Sequence, residues 1–229
     1  MLNERKEHIL QLLKKERRLS VKRLAAQCFV SEMTIRRDLK VMEGEGYVKR
    51  YNGGAMVVDS GAFFPVDSRM FIHSEAKKEL AARIRPYLHD GLTVFIDSSS
   101  TCSYVVPLLA EYRDVRVVTN SVQSLLLAAQ LHLPCIVPGG EYNEHDMCLV
   151  GSETERFLSE LNVDVGFFST RGISADGIIS DSDARQTAAR RAMLAHTGAA
   201  VFLFDQTKQN SKFLYTLCRA ENAAQVIVL

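Results

Sequence analysis

The sequence predicts an α/β protein in two parts, an N-terminal winged helix-turn-helix followed by a Rossmann-like, mostly parallel α/β domain. Three observations predict it. Two short apolar stripes of helical period lie between Val21 and Met42, each behind a serine, with two residues between the first stripe and the second serine. A short alternating run then meets Asn52-Gly53-Gly54, a hairpin signal. From Ser74 onward, apolar strands alternate with helical segments of about ten to fifteen residues, the pattern of a parallel sheet covered on both faces.

Residues 4–17 read as the first helix, with Ile9, Leu12 and Leu13 on one side. Ser20 stands in an N-cap position, and behind it Val21, Leu24, Ala25 and Cys28 fall at i, i+3, i+4 and i+7. Phe29 and Val30 intervene before a second cap, Ser31. The helix that follows turns Ile35, Leu39 and Met42 to one side and Met33, Arg36, Arg37 and Lys40 to the other. It thus faces a core with aliphatics and offers a basic face outward, as the second helix of a helix-turn-helix does. Periodicity stops at Gly44 and Gly46. Tyr47 to Tyr51 then alternate into the Asn52-Gly53 turn, forming a wing that places Lys49, Arg50 and Tyr51 near its tip, within reach of phosphates or a minor groove.

Charge points the outer face at DNA. Residues 1–58 hold 13 Lys and Arg against 7 Asp and Glu, a net of about +6, while the remaining residues hold 15 against 20. The whole-chain value of +1 hides a basic head on an acidic body. A localised positive field is what phosphate neutralisation requires. Candidate contacts to double-stranded operator DNA are Ser20, Lys22, Ser31, Glu32, Met33, Thr34, Arg36, Arg37, Lys40, Lys49, Arg50 and Tyr51.

The run TIRRDL at residues 34–39, then Glu43, Gly46, Arg50 and Asn52-Gly53-Gly54-Ala55, resembles the N-terminal winged helix of the DeoR family of bacterial transcriptional regulators. The usual wing of that family reads His-Gly-Gly-Ala, and Asn52 stands where His is expected. Asn suits the turn at least as well, so the departure bears on one wing contact and not on the fold.

Residues 59–68, with Gly61, Pro65 and two serines, read as a linker. With residues 69–73 it separates a DNA-binding domain over 1–58 from a second domain over 74–229. Phe63 and Phe64, unusual in a tether, are expected to dock on a neighbouring domain. In the second domain the expected order is helix 75–88, strand Leu92–Ile96, helix 101–112, strand Val115–Val118, helix 122–131, strand Cys135–Val137, helix 153–160, strand Val163–Phe168, helix 184–196, strand Ala200–Phe204 and a last strand at Val226–Leu229.

Open parallel sheets bind ligands beyond the carboxyl ends of their strands. The residues found there are Asp97, Ser98, Ser99, Ser100 and Thr101; Thr119, Asn120 and Ser121; Gly139 and Gly140; Thr170, Arg171 and Gly172; and Asp205 with Lys208. A hydroxyl-rich loop entering a helix supplies N–H groups, hydroxyls and a positive helix end together, which favours a phosphate. Asp97 would suit sugar hydroxyls, since two anions repel. The competing reading is that these Ser and Thr residues only cap helices. Arg190 and Arg191 read as surface residues, and Lys208 as a cation available to a phosphate.

The resemblance to the DeoR family extends over this half. The family's C-terminal sensor domain is similar to ribose-5-phosphate isomerase and binds phosphorylated sugars or related metabolites. Its Asp-Ser-Gly-Thr-Thr pattern aligns with Asp97 to Thr101, its Thr-Asn-Ser with Thr119 to Ser121, its Gly-Gly with Gly139-Gly140, and its Asp-x-Ser-Lys with Asp205 to Lys208. Ser99 replaces Gly, Thr207 replaces Ser, Thr170-Arg171-Gly172 replaces a run of small residues, and Arg190 stands where Lys is common. The family normally continues for some residues beyond Leu229.

A content of 47% hydrophobic and 24% charged residues belongs to an ordinary globular chain. No stretch approaches a membrane span, and the charged N-terminus lacks a signal core, so a bacterial cytosol is expected. The five scattered cysteines, Cys28, Cys102, Cys135, Cys148 and Cys218, fit reduced thiols, and the six histidines show no metal-ligand spacing. No metal or cofactor is expected. The reading is a transcriptional repressor of carbohydrate genes, a homodimer or homotetramer controlled by a phosphorylated sugar. Two other readings compete with it: an isomerase-like enzyme with a DNA-binding appendage, and a DNA-binding protein whose second domain only oligomerises.

Overall fold

The computed structural model describes residues 4–16, 18–44, 47–57, 69–70 and 73–229. The expected linker over 59–73, with Phe63 and Phe64, falls almost entirely outside these residues, as do Gly46 and Val58. The chain divides into two compact units between Ser74 and Glu75.

In the N-terminal unit, helices α1 (Glu4–Glu16), α2 (Val21–Cys28) and α3 (Glu32–Gly44) share one core with strands β1 (Arg18–Ser20), β2 (Val48–Tyr51) and β3 (Gly54–Val57). Ile9, Leu13, Leu24, Ile35, Leu39 and Met42 are fully buried, the residues the helical stripes select; Leu12 is half-buried. The strands form an antiparallel sheet in the order β1-β3-β2, turning at Asn52-Gly53 with Gly53 at φ 92°. Strand β1 is not foreseen from the sequence, because three residues are too few to show alternation.

Gly54 lies where β1, β2 and β3 crowd together. A Cβ at this position would overlap the Leu19 carbonyl oxygen and the Tyr51 hydroxyl. Gly54→Ala is therefore expected to cost about 1–3 kcal/mol of stability by overpacking, read as a lowered urea midpoint. An unchanged midpoint would mean that β1 yields without cost.

The C-terminal unit runs through α4 (Ser74–Ala82), β4 (Thr93–Ile96), α5 (Val106–Leu109), β5 (Arg116–Thr119), α6 (Val122–Gln130), β6 (Cys135–Ile136), β7 (Glu141–Asn143), β8 (Cys148–Val150) and α7 (Ser152–Ser159). It continues with β9 (Val163–Phe168), β10 (Gly172–Ile173), β11 (Ile178–Asp181), α8 (Ala184–Leu194), β12 (Thr197–Phe204), β13 (Tyr215–Arg219) and β14 (Gln225–Val228). Six strands form one sheet in the order β14-β12-β9-β4-β5-β6, every pairing parallel. Val94, Ile96, Val201 and Leu203 face a core closed by Leu80, Ile84, Leu109 and Ala128. On the other face Phe95, Phe168, Phe202 and Phe204 form a row with ring centroids 5.4, 5.3 and 6.2 Å apart, under Leu158, Ala189 and Met193. Covering on both faces is why these strands read as near-continuous apolar runs.

Two expected helices are shorter than read. The helix at 75–88 ends at Ala82, and Arg85–Tyr87 form only a 3-10 turn around Pro86. The segment 101–112 becomes a 3-10 turn, Cys102–Val105, and the four residues of α5 with Pro107 near its start. The hairpin β7–β8 and the antiparallel trio β10-β11-β13 are additions that the alternating pattern does not announce.

Chain order reverses between β4 and β9. The chain builds from β4 through β5 to β6 in one direction, and from β9 through β12 to β14 in the other. This is a topological switch point, where the loops after adjacent strands part and leave a crevice at their carboxyl ends.

Candidate nucleic-acid interface and effector site

Two serines start the helices of the N-terminal unit. Ser20 Oγ accepts from Arg23 N–H at 3.2 Å, and Ser31 Oγ accepts from Thr34 N–H at 3.2 Å and lies 2.9 Å from Thr34 Oγ1. Both serines cap, as expected, which commits their hydroxyls to the protein. On α3, Met33 is 75% exposed, Arg36, Arg37 and Lys40 are exposed, Thr34 is half-buried, and Lys22 is exposed on α2. Glu32 lies in the first turn, 3.7 Å from Arg36. Met33, Arg37 and Lys40 thus form one outward ridge at i, i+4 and i+7.

Two ion pairs hold this face in place. Asp38 is buried on the inner side of α3 and accepts from Arg5 Nε at 2.6 Å and Nη2 at 3.1 Å, tying α1 to α3. The Asp38 hydrogen bond raises the pKa of the Arg5 guanidinium. In the wing, the Arg50 backbone N–H donates to Glu43 Oε1 at 2.8 Å and its Nε to Oε2 at 2.6 Å. Arg50, expected to reach DNA from the wing tip, is bound to the end of α3. Lys49 and Tyr51 are exposed on β2, and the Tyr51 ring lies over Gly54.

In the C-terminal unit the loop after β4 sits at the switch point. Asp97 is fully buried: Oδ1 accepts from Ser99 N–H at 2.8 Å, and Oδ2 from Ser169 N–H at 2.9 Å and from Arg190 Nε at 2.9 Å. These three donors come from the loop itself, the end of β9 and α8. Asp97, expected to meet sugar hydroxyls, joins three elements of the protein instead. Arg190, read as a surface residue, is 5% exposed and donates also to Asp181 Oδ2 at 3.1 Å and Gln186 Oε1 at 3.0 Å. Burial alone would push its pKa down, but the charges of Asp97 and Asp181 more than offset that and hold it raised. Gln186 also accepts from Ser98 Oγ at 3.1 Å and donates to Asp146, so one amide links the loop to the β7–β8 turn.

Several strand-end hydroxyls do cap. Ser99 Oγ accepts from Cys102 N–H, Thr119 Oγ1 from Ser121 N–H while donating to Ile96 O, and Ser121 Oγ from Ser124 N–H at the start of α6. Asn120 Nδ2 donates to Leu149 O. Gly139 and Gly140 form the bend before β7. Gly140 has φ 134°, and a Cβ there would strike Thr154 Oγ1, whose hydroxyl donates to Gly139 O at 2.7 Å. Thr170 Oγ1 donates to Gly172 O, Arg171 is half-buried, and a Cβ at Gly172 would press on Ser211. Asp205 accepts from Thr207 N–H at 3.0 Å and from the Thr207 hydroxyl.

What remains is a smaller polar set. Ser100 Oγ accepts from Lys77 Nζ at 3.1 Å, and Lys77 is only 4% exposed. Thr101 Oγ1 is buried without a hydrogen-bond partner. Lys208 Nζ donates to Ser169 Oγ at 2.7 Å across the end of β9. The sequence reading misses Lys77, Ser169, Gln186 and Asp146. A signal for Lys77 exists: it starts the stripe Lys77, Leu80, Ala81, Ile84 at i, i+3, i+4 and i+7. The thiol of Cys148 beneath the loop is pushed up to about 12 by burial and then by Asp146, which keeps it neutral. Among the described residues no group of His, Cys, Asp and Glu could hold a metal ion, and no helix is long and apolar enough to cross a membrane.

A winged helix-turn-helix with an outward basic ridge, followed by an α/β unit with a polar crevice at its switch point, defines a DNA-binding regulator with a sensor-type domain. Family profiles agree: that of the DeoR C terminal sensor domain matches residues 72–228, and that of the DeoR-like helix-turn-helix domain residues 5–61. The chain belongs to the DeoR family of DNA-binding transcriptional regulators. It is 27% identical to the HTH-type transcriptional repressor CsqR of Escherichia coli (strain K12), over 99% of this chain and 86% of that protein. It is 28% identical to the glycerol-3-phosphate regulon repressor of the same organism, over 90% and 82%. Against the L-fucose operon activator of Haemophilus influenzae the identity is 32%, over 90% and 84%. These relatives are transcriptional regulators. Among solved structures, a D-ribose-5-phosphate isomerase in complex with phospho-erythronic acid matches with TM-score 0.46 and 18% identity, over 59% of this chain and 54% of that one.

Proposed function

We propose that the chain is an operator-binding repressor of carbohydrate-metabolism genes, released from DNA by a phosphorylated sugar held at the switch point. The observation that carries the sensor half is a pair of lysines at the strand ends, Lys77 bonded to Ser100 of the Asp97–Thr101 loop and Lys208 bonded to Ser169, whose N–H holds Asp97 of the same loop. Two ammonium groups beside a hydroxyl-rich loop and a buried, unpartnered Thr101 hydroxyl suit a phosphate dianion. The relatives named for glycerol 3-phosphate and L-fucose regulons support a small phosphorylated polyol or sugar as the class. Residues 1–58 would carry DNA binding and 74–229 sensing and self-association. A homodimer would set two α3 helices in successive major grooves, roughly 34 Å apart.

The ligand acts through unequal affinity for the DNA-competent and incompetent states. Turnover is not part of this reading. Isomerisation needs a carboxylate base over the substrate carbon, and Asp97 and Asp205 are engaged by protein donors. Isomerisation of ribose 5-phosphate above background would overturn that point.

The test is operator binding at fixed salt with and without a panel of phosphorylated sugars, paired with thermal unfolding. A ligand at about 100 times its Kd adds about 2.7 kcal/mol, a rise of roughly 5–10 °C for a unit of this size. Lys208→Ala is expected to abolish the rise at the same concentration and to leave operator affinity intact. Tight operator binding indifferent to every compound would remove the sensor role and leave self-association as the function of the second unit.

A further inference from the structure

Phe29, in the turn between α2 and α3, is the most exposed large apolar side chain among the described residues, at 94%. Its backbone is left-handed, φ 54° and ψ 41°, where it closes α2 by donating its N–H to Ala25 O; Val30 N–H follows to the same oxygen at 3.1 Å. Glycine and asparagine adopt this conformation readily, and a bulky side chain is strained in it. The ring is therefore favoured neither by the backbone it stands on nor by any burial.

Its surroundings suggest what the ring meets. Ser31, the cap of α3, is two residues on, and two residues of chain span at most about 7 Å. Met33, also exposed, lies in the first turn of that helix. Phe29 and Met33 thus stand, both exposed, two residues on either side of Ser31 at the helix end that enters a major groove in a helix-turn-helix, with Arg36, Arg37 and Lys40 following along the helix. A duplex satisfies both kinds of group. Its phosphates meet the cations, and the thymine C5-methyl offers an apolar surface in the major groove, to which a phenylalanine ring is a fitting partner.

We propose that Phe29 is a specificity-determining residue that packs its ring on a thymine methyl of the operator, reading a base that the basic ridge of α3 does not. This rests on the assignment of α3 as the DNA-contacting helix.

The test uses the full chain and a duplex selected by the wild-type protein from promoter DNA beside its own gene. Wild type, Phe29→Asn and Arg37→Ala are compared on that duplex and on copies in which deoxyuridine replaces each half-site thymine in turn. Phe29→Asn should raise the melting temperature by a few degrees, since asparagine suits the left-handed turn. It should weaken operator binding about five- to tenfold. One deoxyuridine copy should weaken wild type by a similar factor and leave Phe29→Asn unaffected. Unchanged affinity of Phe29→Asn would overturn the contact, as would a variant still sensitive to every deoxyuridine that affects wild type. A lowered melting temperature or an altered oligomeric state would show the ring covered by protein, which also overturns it. Normal binding by Arg37→Ala would remove α3 itself. Normal binding by Phe29→Asn alone would remove only this contact.

Discussion

Arg190→Ala is expected to lower the melting temperature of the C-terminal unit by roughly 10 °C. The guanidinium is 5% exposed and bonds Asp97, Asp181 and Gln186 at once. Removing it leaves two buried carboxylates without their cation, and breaking a buried pair from one side costs about 3–5 kcal/mol. For a unit of this size each kcal/mol is about 2–4 °C. Arg190→Lys keeps the charge but not the fork, and one ammonium cannot hold the same three acceptors in a plane. Its loss should be about half as large. Thermal unfolding by circular dichroism decides: a drop under 2 °C for the alanine variant would mean that Asp97 and Asp181 find solvent or other donors. A second readout separates position from mere stability. Arg190 donates to the same Asp97 oxygen that receives Ser169 N–H, and Ser169 in turn accepts from Lys208. Any phosphorylated sugar that stabilises wild type should therefore bind Arg190→Lys more weakly at a temperature where both are folded.

The same residue shows where sequence reading stops. Helices α2 and α3 and the β2–β3 hairpin were legible because each carries two independent marks, a capping serine and an apolar stripe, or an alternating run and an Asn-Gly turn. The central strands were legible because burial on both faces leaves no polar interruption. Strand β1, the hairpin β7–β8 and the trio β10-β11-β13 were not: all are only two to five residues long, too short to show alternation, and β1 and β13 also find their partners far away in sequence. At the candidate site, the strand-end residues were found from topology, but their engagements were not. Asp97 has the appearance of a ligand group until the donors from α8 and β9 are placed against it. Three charged residues were nonetheless marked by position. Asp38 lies with Ile35, Leu39 and Met42, Lys77 with Leu80 and Ala81, and Arg190 with Ala189 and Met193, each on the buried stripe of its helix. A charge on an apolar stripe requires a partner in the interior, and all three have one. Reading Arg190 as a surface residue overlooked that requirement.

Arg37→Ala is expected to weaken operator binding by about 1–3 kcal/mol, roughly 5- to 150-fold, without shifting the melting temperature. Arg36 has Glu32 within 3.7 Å, and Arg50 is bound by Glu43, so both have acidic neighbours competing for their charge. Arg37 stands on the outward ridge with Met33 and Lys40 and has no ion pair among the described residues. A guanidinium so placed, one turn beyond the helix N-terminus, is suited to a bidentate contact with a guanine edge. Lys40, a further turn along, is suited to a phosphate. The two roles leave different signatures in salt. Lys40→Ala should weaken binding to every duplex alike and reduce the slope of log affinity against log salt by about 0.9. Arg37→Ala should relax discrimination at one base pair and change that slope less. Equal losses on operator and random duplex for Arg37→Ala would reassign it to the phosphates, and no loss for either variant would place the recognition surface elsewhere on the unit.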